Sequence, residues 1–326
     1  MHKMSKSINW GILGPGKIAK KFALGLKYVP NANLYAASSR SLEKAEDFAK
    51  EMGADKAYGS YVEMLNDPKL DAVYIATPHV FHHEHTLLCL KHNKAVLCEK
   101  PFAMNKNQVK EMIDFAQKQD TFLMEAMWTH FLPHFKYTRE VIKSGKYGKV
   151  LSMKADFGFD AAFDAESRIY NKSLGGGSLL DIGIYPIFAA LSFLGKPEKI
   201  EATAKMTKTE VDARCHATFL YPENVKAELY SFVDKNTDVS ATIKLEKAEI
   251  YINPRFHQPS SVVITTENES FTKEFGVEAN GYNFEAEHVG EMLLEGKKES
   301  TEMTFAKSLE LIEMLDRVRE KIGLKY

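Results

Sequence analysis

Two short segments of the chain carry side chains suited to moving a proton. In the first, Lys100 stands between Glu99 and Pro101, and a residue before a proline is held in extended backbone, so this lysine is aimed rather than freely mobile. In the second, Asp181 and Tyr185 lie four residues apart in an apolar segment, a spacing that puts both on one face of a helix. Amines, carboxylates and phenols are the groups of general acid–base chemistry.

Each of these residues also has a plain structural interpretation. Lys100 would be an ordinary solvated lysine if no ligand approached it. Asp181 follows Ser178 by three residues, which matches a capping box at a helix start. Tyr185 would be a half-buried core tyrosine. Residue spacing alone leaves these alternatives open.

A glycine-rich segment follows the first predicted strand and opens the first predicted helix. It contains G-x-G-x-x-A, in which Gly14 permits a tight turn, Gly16 lets backbone approach a pyrophosphate, and Ala19 allows close helix–strand packing. The helix N-terminus adds N–H donors and a favourable dipole. The residues predicted to contact a dinucleotide here are Gly14, Pro15, Gly16, Lys17 and Ile18. A plain turn between strand and helix is the alternative.

The end of the second predicted strand indicates which dinucleotide is bound. NAD-binding folds carry an acid there, whereas this chain has Ser38-Ser39-Arg40-Ser41. Ser39 can hydrogen-bond a 2′-phosphate and Arg40 can neutralise it, so we predict NADP, with NAD as the second choice. Ser41 is also a natural cap for the helix that follows, which is compatible with this interpretation.

Further candidate residues stand at two other strand ends. Thr77 and Pro78 follow the fourth predicted strand, and Glu99 and Lys100 end the fifth. In doubly wound sheets, ligands bind outside the carboxyl ends of the strands, where the winding direction reverses. We therefore predict that these four residues line the nicotinamide end of the cofactor site.

Hydrophobic periodicity predicts the elements that must position these residues. From Ile8 to about Ala126, six short apolar runs alternate with amphipathic helical segments, the pattern of an α/β fold with a doubly wound parallel (Rossmann) sheet. After Pro197, strand-like runs follow one another without helices, which predicts a mainly antiparallel sheet in an α+β domain. We assign residues 1–124 to NADP binding and residues 125–326 to substrate binding and dimerisation. A sheet covered by helices on one side leaves a face for a homodimer.

Composition and charge narrow the class of partner. Lys plus Arg (43) nearly balance Asp plus Glu (44), so there is no basic field for nucleic acid or an anionic membrane. The three cysteines show no metal-ligand spacing and indicate a reducing compartment. No signal peptide is recognisable, and the longest apolar runs, such as Ala72–Ala76, are read as strand-sized. We expect a cytoplasmic protein that acts on a small molecule, with no membrane or nucleic-acid partner.

Two residue clusters have competing interpretations. Four histidines lie close together: His79, His82, His83 and His85. No neighbouring Asp or Cys completes a ligand set, so no metal site is predicted. Trp128 and Phe159, with Phe157, would form an apolar platform for a sugar ring or a hydrophobic diol, or would pack in the core.

Together the motifs resemble those of the glucose–fructose oxidoreductase/inositol dehydrogenase superfamily. They are G-x-G-x-x-A, Ser-Arg, Thr-Pro-x-x-x-His ending at His82, Glu-Lys-Pro, and Gly-Gly-Gly-x-Leu-x-Asp-x-Gly-x-Tyr ending at Tyr185. The likeness extends over essentially the whole chain. It is strongest to the branch of dimeric dihydrodiol dehydrogenases and NADP-dependent D-xylose dehydrogenases, which has tyrosine rather than histidine at the position of Tyr185. His130 departs from that branch, which often has arginine there.

The resemblance implies an NADP(H)-dependent oxidoreductase that moves a hydride between nicotinamide and a carbinol or carbonyl carbon of a sugar, polyol or trans-dihydrodiol. It implies that Lys100 and Tyr185 form the proton-transfer pair, that Asp181 lies near the substrate hydroxyls, and that His82 lies beside the cofactor. Two alternatives remain: a keto-sugar or dicarbonyl reductase using the same residues, and a non-catalytic NADP-sensing regulator. A regulator needs neither Lys100 nor Tyr185, so their presence favours an enzyme.

Overall fold

The computed structural model describes residues 7–326, which divide into two compact units. The N-terminal unit contains the described residues up to Trp128 together with Glu278–Leu309, and the C-terminal unit contains Thr129–Val277 and Glu310–Tyr326. The predicted division at residue 124 assigned everything after it to the second domain, and the structure differs by returning Glu278–Leu309 to the first.

The physical reason for this return is the packing of one helix on another. Helix α8 (Tyr282–Leu294) packs against helix α1 (Lys17–Leu26), and its buried residues include Tyr282 and Ala286. The contact is close, because a Cβ atom built on Gly25 would lie 2.9 Å from the Cβ of Tyr282. The sequence of α8 therefore completes the N-terminal unit although it lies far along the chain.

The N-terminal unit is built on a six-stranded parallel sheet in the order β3-β2-β1-β4-β5-β6, as predicted for a Rossmann fold. Its strands are β1 (Ile8–Leu13), β2 (Ala32–Ser38), β3 (Lys56–Tyr58), β4 (Ala72–Ile75), β5 (Ala95–Glu99) and β6 (Leu123–Ala126). Its helices are α1 (Lys17–Leu26), α2 (Leu42–Met52), α3 (Tyr61–Leu65), α4 (His82–Lys91), α5 (Lys106–Lys118), α8 (Tyr282–Leu294) and the start of α9 (Phe305–Lys321).

Burial on both faces explains why these strands read as continuous apolar runs. Every residue of β4, β5 and β6 is buried, as expected for parallel strands covered by helices. At the centre the ring of Phe22 stacks on Tyr74 at 3.8 Å and meets Trp10 edge-on at 5.4 Å. The parallel pairing of β1 with β4, and of β4 with β5, places the carboxyl ends of the three strands in one row.

The C-terminal unit is built on an eight-stranded sheet in the order β14-β13-β12-β11-β7-β10-β9-β8. Its strands are β7 (Val150–Gly158), β8 (Lys199–Met206), β9 (Asp212–Leu220), β10 (Lys226–Phe232), β11 (Ala241–Leu245), β12 (Ala248–Ile252), β13 (Val262–Thr266) and β14 (Ser270–Lys273). Its further helices are α6 (Pro133–Lys143) and α7 (Ile184–Leu194). The predicted antiparallel sheet is confirmed, except that β7 and β10 pair in parallel. Strand β14 was not predicted because its side chains are mostly polar and exposed.

One face of this sheet is buried and the other is partly exposed. Alternate residues of β9 and β10 are buried, including Cys215 and Leu229, while His216 and Tyr230 lie on the opposite face, with their rings stacked 4.3 Å apart. The alternation is that of a sheet packed on one side only.

The most apolar segment of the chain belongs to this unit. Among the described residues, one helical stretch, Lys172–Leu194, is long and apolar enough to cross a membrane, and 83% of its most apolar window is buried inside the fold. The prediction that apolar runs are only strand-sized is therefore wrong for this segment. Its burial is that of a core helix in a folded domain.

Candidate active site

The turn between β1 and α1 has the geometry that a phosphate group requires. Gly14 has a φ of +91°, and a Cβ atom there would lie 2.7 Å from the Cγ2 of Thr77. A Cβ built on Gly16 would meet nothing within 4 Å, so the missing side chain leaves open space at the helix start. Helix α1 has no side-chain cap and no acid in its first turn. The turn therefore offers backbone N–H groups and a helix dipole to an anion.

The exit of β2 carries the residues predicted to select the dinucleotide. Ser41 caps α2 by accepting a hydrogen bond from the Lys44 N–H, which confirms its predicted structural role. Arg40 is exposed, and its charge acts on His85. The Oγ1 of Thr77 lies 3.0 Å from the Nδ1 of His85, and burial, reinforced by Arg40, lowers the pKa of His85 to about 4. His85 is thus a neutral polar group between Arg40 and the strand ends, a position that its sequence context did not reveal.

His82 joins two strand ends at the same rim. Its Nε2 lies 2.8 Å from the carbonyl oxygen of Thr77, and its Nδ1 lies 2.7 Å from the carbonyl oxygen of Pro101. The ring is completely buried, and this burial lowers its pKa to about 4. The neutral ring donates to one of the two carbonyl oxygens and packs against the other, so the structure gives His82 the role of positioning the rim. Its direct contact with a cofactor stays a prediction.

Hydrogen bonds to the Glu99 carboxylate anchor the Glu-Lys-Pro segment. The backbone N–H of Lys100 donates to Glu99 Oε2 at 3.1 Å, and the Tyr74 hydroxyl donates to Glu99 Oε1. The peptide bond between Lys100 and Pro101 is cis. The Lys100 side chain is partly exposed, whereas Glu99 is buried. Lys100 is therefore partly accessible, and the Glu99 carboxylate lies in the core.

In the C-terminal unit, the second motif begins with a tight glycine turn. Gly177 has a φ of +110°, and a Cβ atom there would lie 2.2 Å from Asp212 Oδ1. Asp212 Oδ2 accepts hydrogen bonds from the Ser178 hydroxyl at 2.6 Å and from the Leu179 N–H at 2.7 Å. The capping-box interpretation of Ser178 and Asp181 is therefore wrong. A carboxylate from β9 caps this helix start instead.

The segment after Ser178 is one π-helical turn, Leu179–Gly183, which continues into α7. A single α-helix over this segment was expected. π-Helical turns within helices are frequent at functional sites. Asp181 lies in this turn and Tyr185 is the second residue of α7, so the helical face that the two residues are predicted to share stays a prediction.

Asp181 is held by an arginine that sequence reasoning missed. Arg168 Nη1 donates to Asp181 Oδ1 at 2.9 Å, and Nη2 donates to Oδ2 at 3.2 Å. The Asp181 side chain is 11% exposed and that of Arg168 is 43% exposed. Two parallel bonds fix the plane of the carboxylate, which is the geometry an orienting group needs.

The Tyr185 ring is set in an aromatic cluster. It is 6% exposed, with its centroid 4.9 Å from the ring of His257 and 5.6 Å from that of Phe157. His257 and Phe157 are themselves 4.2 Å apart. His257 comes from the loop after β12, and its only signal in the sequence is an isolated histidine in a polar loop. The two neighbours restrict rotation of the phenol.

The residues predicted as a substrate platform belong to different units of the structure. Trp128 belongs to the N-terminal unit, is 4% exposed, and stacks on Tyr282 at 4.2 Å. Phe159 belongs to the C-terminal unit and packs on a small core cluster that includes Tyr170. Both contacts are core packing, and substrate binding by Trp128 and Phe159 stays a prediction. His130 is buried, and the guanidinium of Arg139 lies 3.3 Å from its ring nitrogens. An arginine side chain from α6 is therefore in contact with the residue that replaces the arginine of the related branch.

The described residues contain no group of three or more His, Cys, Asp or Glu arranged to hold a metal ion. Within the histidine cluster, His83 pairs with Glu111 at 2.9 Å, and His82 and His85 have the partners given above. These side chains serve packing and hydrogen bonding.

The N-terminal unit therefore holds the residues expected for a dinucleotide. The open space at Gly16, the uncapped start of α1 and the rim of Thr77, Glu99 and Lys100 fit a pyrophosphate and the ring beyond it. The C-terminal unit holds Asp181 and Tyr185.

Comparison with known proteins identifies the family of both parts of the chain. Residues 8–127 match the model of an oxidoreductase family with an NAD-binding Rossmann fold, and residues 135–251 match the GFO/IDH/MocA C-terminal domain. The chain is 36% identical to trans-1,2-dihydrobenzene-1,2-diol dehydrogenase of Mus musculus over 98% of both chains, and 33% identical to that of Homo sapiens over the same share.

Solved structures show the same fold. An aldose-aldose oxidoreductase from Caulobacter crescentus, in complex with glycerol, superposes with a TM-score of 0.89 at 23% identity, over 98% of both chains. A 3-ketoreductase from Actinomadura kijaniata, in complex with NADP and TDP-benzene, superposes with a TM-score of 0.88 at 24% identity, over 97% of this chain and 98% of the other. The chain belongs to the GFO/IDH/MocA family of oxidoreductases, because it matches both family domains and is similar over nearly its whole length to the dihydrodiol dehydrogenases.

Proposed function

We propose that this oxidoreductase transfers a hydride between NADP(H) and a CH–OH or C=O carbon of a small hydroxylated substrate. The observation that carries the proposal is the placement of Lys100 at the cofactor rim, with Glu99 held beneath it by Tyr74. A binding protein would have no need of an amine presented at this point. The dihydrodiol dehydrogenase relatives make a trans-dihydrodiol the first substrate to test, followed by sugars and polyols.

The choice of NADP over NAD rests on the exit of β2. Ser39 and the exposed Arg40 stand where an acid would select NAD. An arginine and a hydroxyl can bind a 2′-phosphate, whereas they gain little from a free 2′-hydroxyl. The related fold crystallised with NADP is compatible with this choice.

Proton transfer is assigned to Tyr185 and Lys100. Oxidation of a carbinol requires a base for the hydroxyl proton, and a free tyrosine, with a pKa of about 10, is a weak base near neutral pH. An ammonium beside a phenol favours the phenolate, and we assign that ammonium to Lys100, as the family resemblance implies. When bound, the nicotinamide ring supplies the acceptor or donor of the hydride. In reduction the same two side chains deliver the proton to the carbonyl oxygen.

Asp181 is assigned to substrate hydroxyls. Its carboxylate plane is fixed by Arg168, and it lies one helical turn before Tyr185. A carboxylate held in this way accepts hydrogen bonds from a diol without rotating. Its neutralisation by Arg168 suits an uncharged hydroxylated molecule better than an anion or a cation.

The test is a pair of substitutions with matched controls. Lys100→Met and Tyr185→Phe are each expected to lower kcat by about a hundred- to ten-thousand-fold, with little change in NADP(H) affinity measured by fluorescence. The double variant should be little worse than either single one, because paired groups are not additive. Lys91→Met and Tyr28→Phe change an exposed lysine and an exposed tyrosine in the same way and should leave kcat unchanged. Near-full turnover of Lys100→Met would overturn the assignment.

We also propose a homodimer and a cytoplasmic location. The dimer would use the partly exposed face of the eight-stranded sheet, where His216 and Tyr230 form an aromatic patch. The location is supported by the cysteines, since Cys89, Cys98 and Cys215 are all free and buried.

A further inference from the structure

One buried acid of the N-terminal unit has no role in the chemistry described so far. Glu285, on α8, is completely buried, and neither of its carboxyl oxygens has a hydrogen-bond partner among the residues that the structure describes. An isolated carboxylate in such a place costs several kcal/mol, so a residue of this type persists only with a compensating function or a bound proton.

Glu285 is connected to Lys100 through Glu99, its neighbour. Glu285 lies close enough to Glu99 and Tyr74 for their charges to interact. Tyr282, one turn earlier on α8, is also close enough to act on the Tyr74 hydroxyl. Glu125 is the third buried acid near Glu99, with its Oε1 accepting the Phe102 N–H at 3.1 Å. The cluster therefore consists of three acids and two tyrosines under the rim.

The hydrogen bonds divide the roles of Glu99 and Glu285. Glu99 receives a donor on each oxygen, from Tyr74 and from the Lys100 backbone, and such donors favour its carboxylate form. Glu285 receives none, and burial together with the charge of Glu99 raises its pKa well above the ordinary value. Of these two neighbouring carboxyls, Glu99 therefore has the surroundings that favour the charged form and Glu285 those that favour the neutral form.

We propose that Glu285 is a positioning residue that acts through Glu99 on Lys100. As a neutral carboxylic acid it provides polar surroundings in which Glu99 stays ionised, and ionised Glu99 holds the Lys100 backbone at the rim. The inference rests on the proposed role of Lys100 and extends it to a residue of α8, 185 positions further along the chain. The amide of a glutamine would serve equally well, because it is neutral, polar and of the same shape.

The first experiment measures where the proton is, without any substrate. Infrared spectra of the ligand-free protein, recorded above the pKa of about 7 that burial gives Glu125, should show a protonated carboxyl. Glu285→Gln should remove that band, and Glu287→Gln, the same change two residues along on the exposed side of α8, should leave it in place. A band that survives Glu285→Gln would overturn the proposal.

The second experiment follows the pH profile of kcat with NADP⁺ and trans-1,2-dihydrobenzene-1,2-diol. In Glu285→Leu an apolar neighbour raises the pKa of Glu99, so we expect the acidic limb to move upward by about one unit and kcat at neutral pH to fall by about tenfold. Glu285→Gln should keep the wild-type profile and a kcat within about twofold, since it preserves a neutral polar neighbour. Equal losses in both variants with an unmoved profile would mean a packing role only and would also overturn the proposal.

The two proposals fail in different ways. If Lys100→Met kept full turnover, the proposed function would fail, whatever the infrared band of Glu285 showed. If Lys100→Met were inactive while Glu285→Leu had the wild-type pH profile, only the role of Glu285 would fail. If Glu285→Leu did not fold, as shown by loss of a cooperative melting transition, the infrared comparison of Glu285→Gln with Glu287→Gln would decide.

Discussion

Removal of the Asp212 carboxylate is the most direct test of how the second motif is built. In Asp212→Ala, the Ser178 hydroxyl and the Leu179 N–H lose their acceptor in a completely buried place. A buried donor left without a partner costs about 1–3 kcal/mol. The Ser178 hydroxyl can turn to the Ser231 hydroxyl at 2.8 Å, which leaves the Leu179 N–H as the main loss. We therefore expect the free energy of unfolding of Asp212→Ala to lie about 1–3 kcal/mol below that of Asp212→Asn, which also lacks the charge but keeps an acceptor.

Asp212→Asn separates the hydrogen bonds from the charge. Burial raises the pKa of Asp212 from 3.8 to about 6, so ionising it in the folded state costs about 3 kcal/mol at neutral pH. Asparagine avoids that cost, and its carbonyl oxygen still accepts both hydrogen bonds, each weaker by about 1 kcal/mol. The two effects nearly cancel, and we expect stability within about 1 kcal/mol of the wild type.

The pH dependence gives an independent check. Between about pH 4 and about pH 6 the folded protein holds a proton on Asp212 that the unfolded chain releases, so this residue's contribution to stability falls as pH rises through that window. Asp212→Asn should lack this loss. Urea unfolding of the three proteins, followed by circular dichroism across the window, measures both effects. Equal stability of the alanine and asparagine variants, or a wild-type to asparagine difference that does not change with pH, would refute the reasoning.

Three other outcomes follow from the site. Arg40→Ala should remove most of the difference between NADP(H) and NAD(H) affinity, and equal affinities in the unmutated protein would contradict the assigned role. Arg168→Ala should raise KM by about tenfold while the melting temperature barely moves, because a partly exposed ion pair contributes only about 0–1 kcal/mol to stability. Asp181→Asn should raise KM by a similar factor. A large loss of stability in either variant would indicate that the pair is structural. Tyr230→Glu should convert a dimer into a species of the 36.8 kDa chain mass in light scattering, and a wild type that is already monomeric would remove the dimer proposal.

The predictable part of this fold is the part whose causes are local. The sequence pattern predicts a first strand over Ile8–Leu13 and a helix over Lys106–Lys118, and both have these bounds in the structure. The apolar run, the amphipathic spacing and the Asn105 cap that cause them all lie in or next to the segment itself. The glycine turn was recognised for the same reason, because Gly14 and Gly16 act through their own backbone. In each case the residues that cause the structure are neighbours in the chain.

Side-chain partners that come from distant segments were not predictable in this way. Ser178 and Asp181 fit a capping box by spacing, but Asp212, 34 residues away, supplies the cap, and Arg168 takes Asp181. The spacing rule considers only local acceptors, so it cannot detect a carboxylate that a neighbouring strand supplies. Arg168 lies in an exposed loop, where no periodicity marks one arginine as different from another.

Glu285 shows what kind of signal does report a distant partner. On α8 the buried positions Tyr282, Ala286 and Val289 form one apolar stripe, and Glu285 lies inside it. A helix that carries a carboxyl group in its buried stripe loses several kcal/mol unless that group is neutral or paired, so the exception to the pattern is itself informative. The stripe could be read without coordinates, whereas the identity of the neighbour, Glu99, required the fold. An acidic residue within the apolar stripe of a helix therefore indicates, from the sequence alone, that a titratable partner lies nearby in the fold.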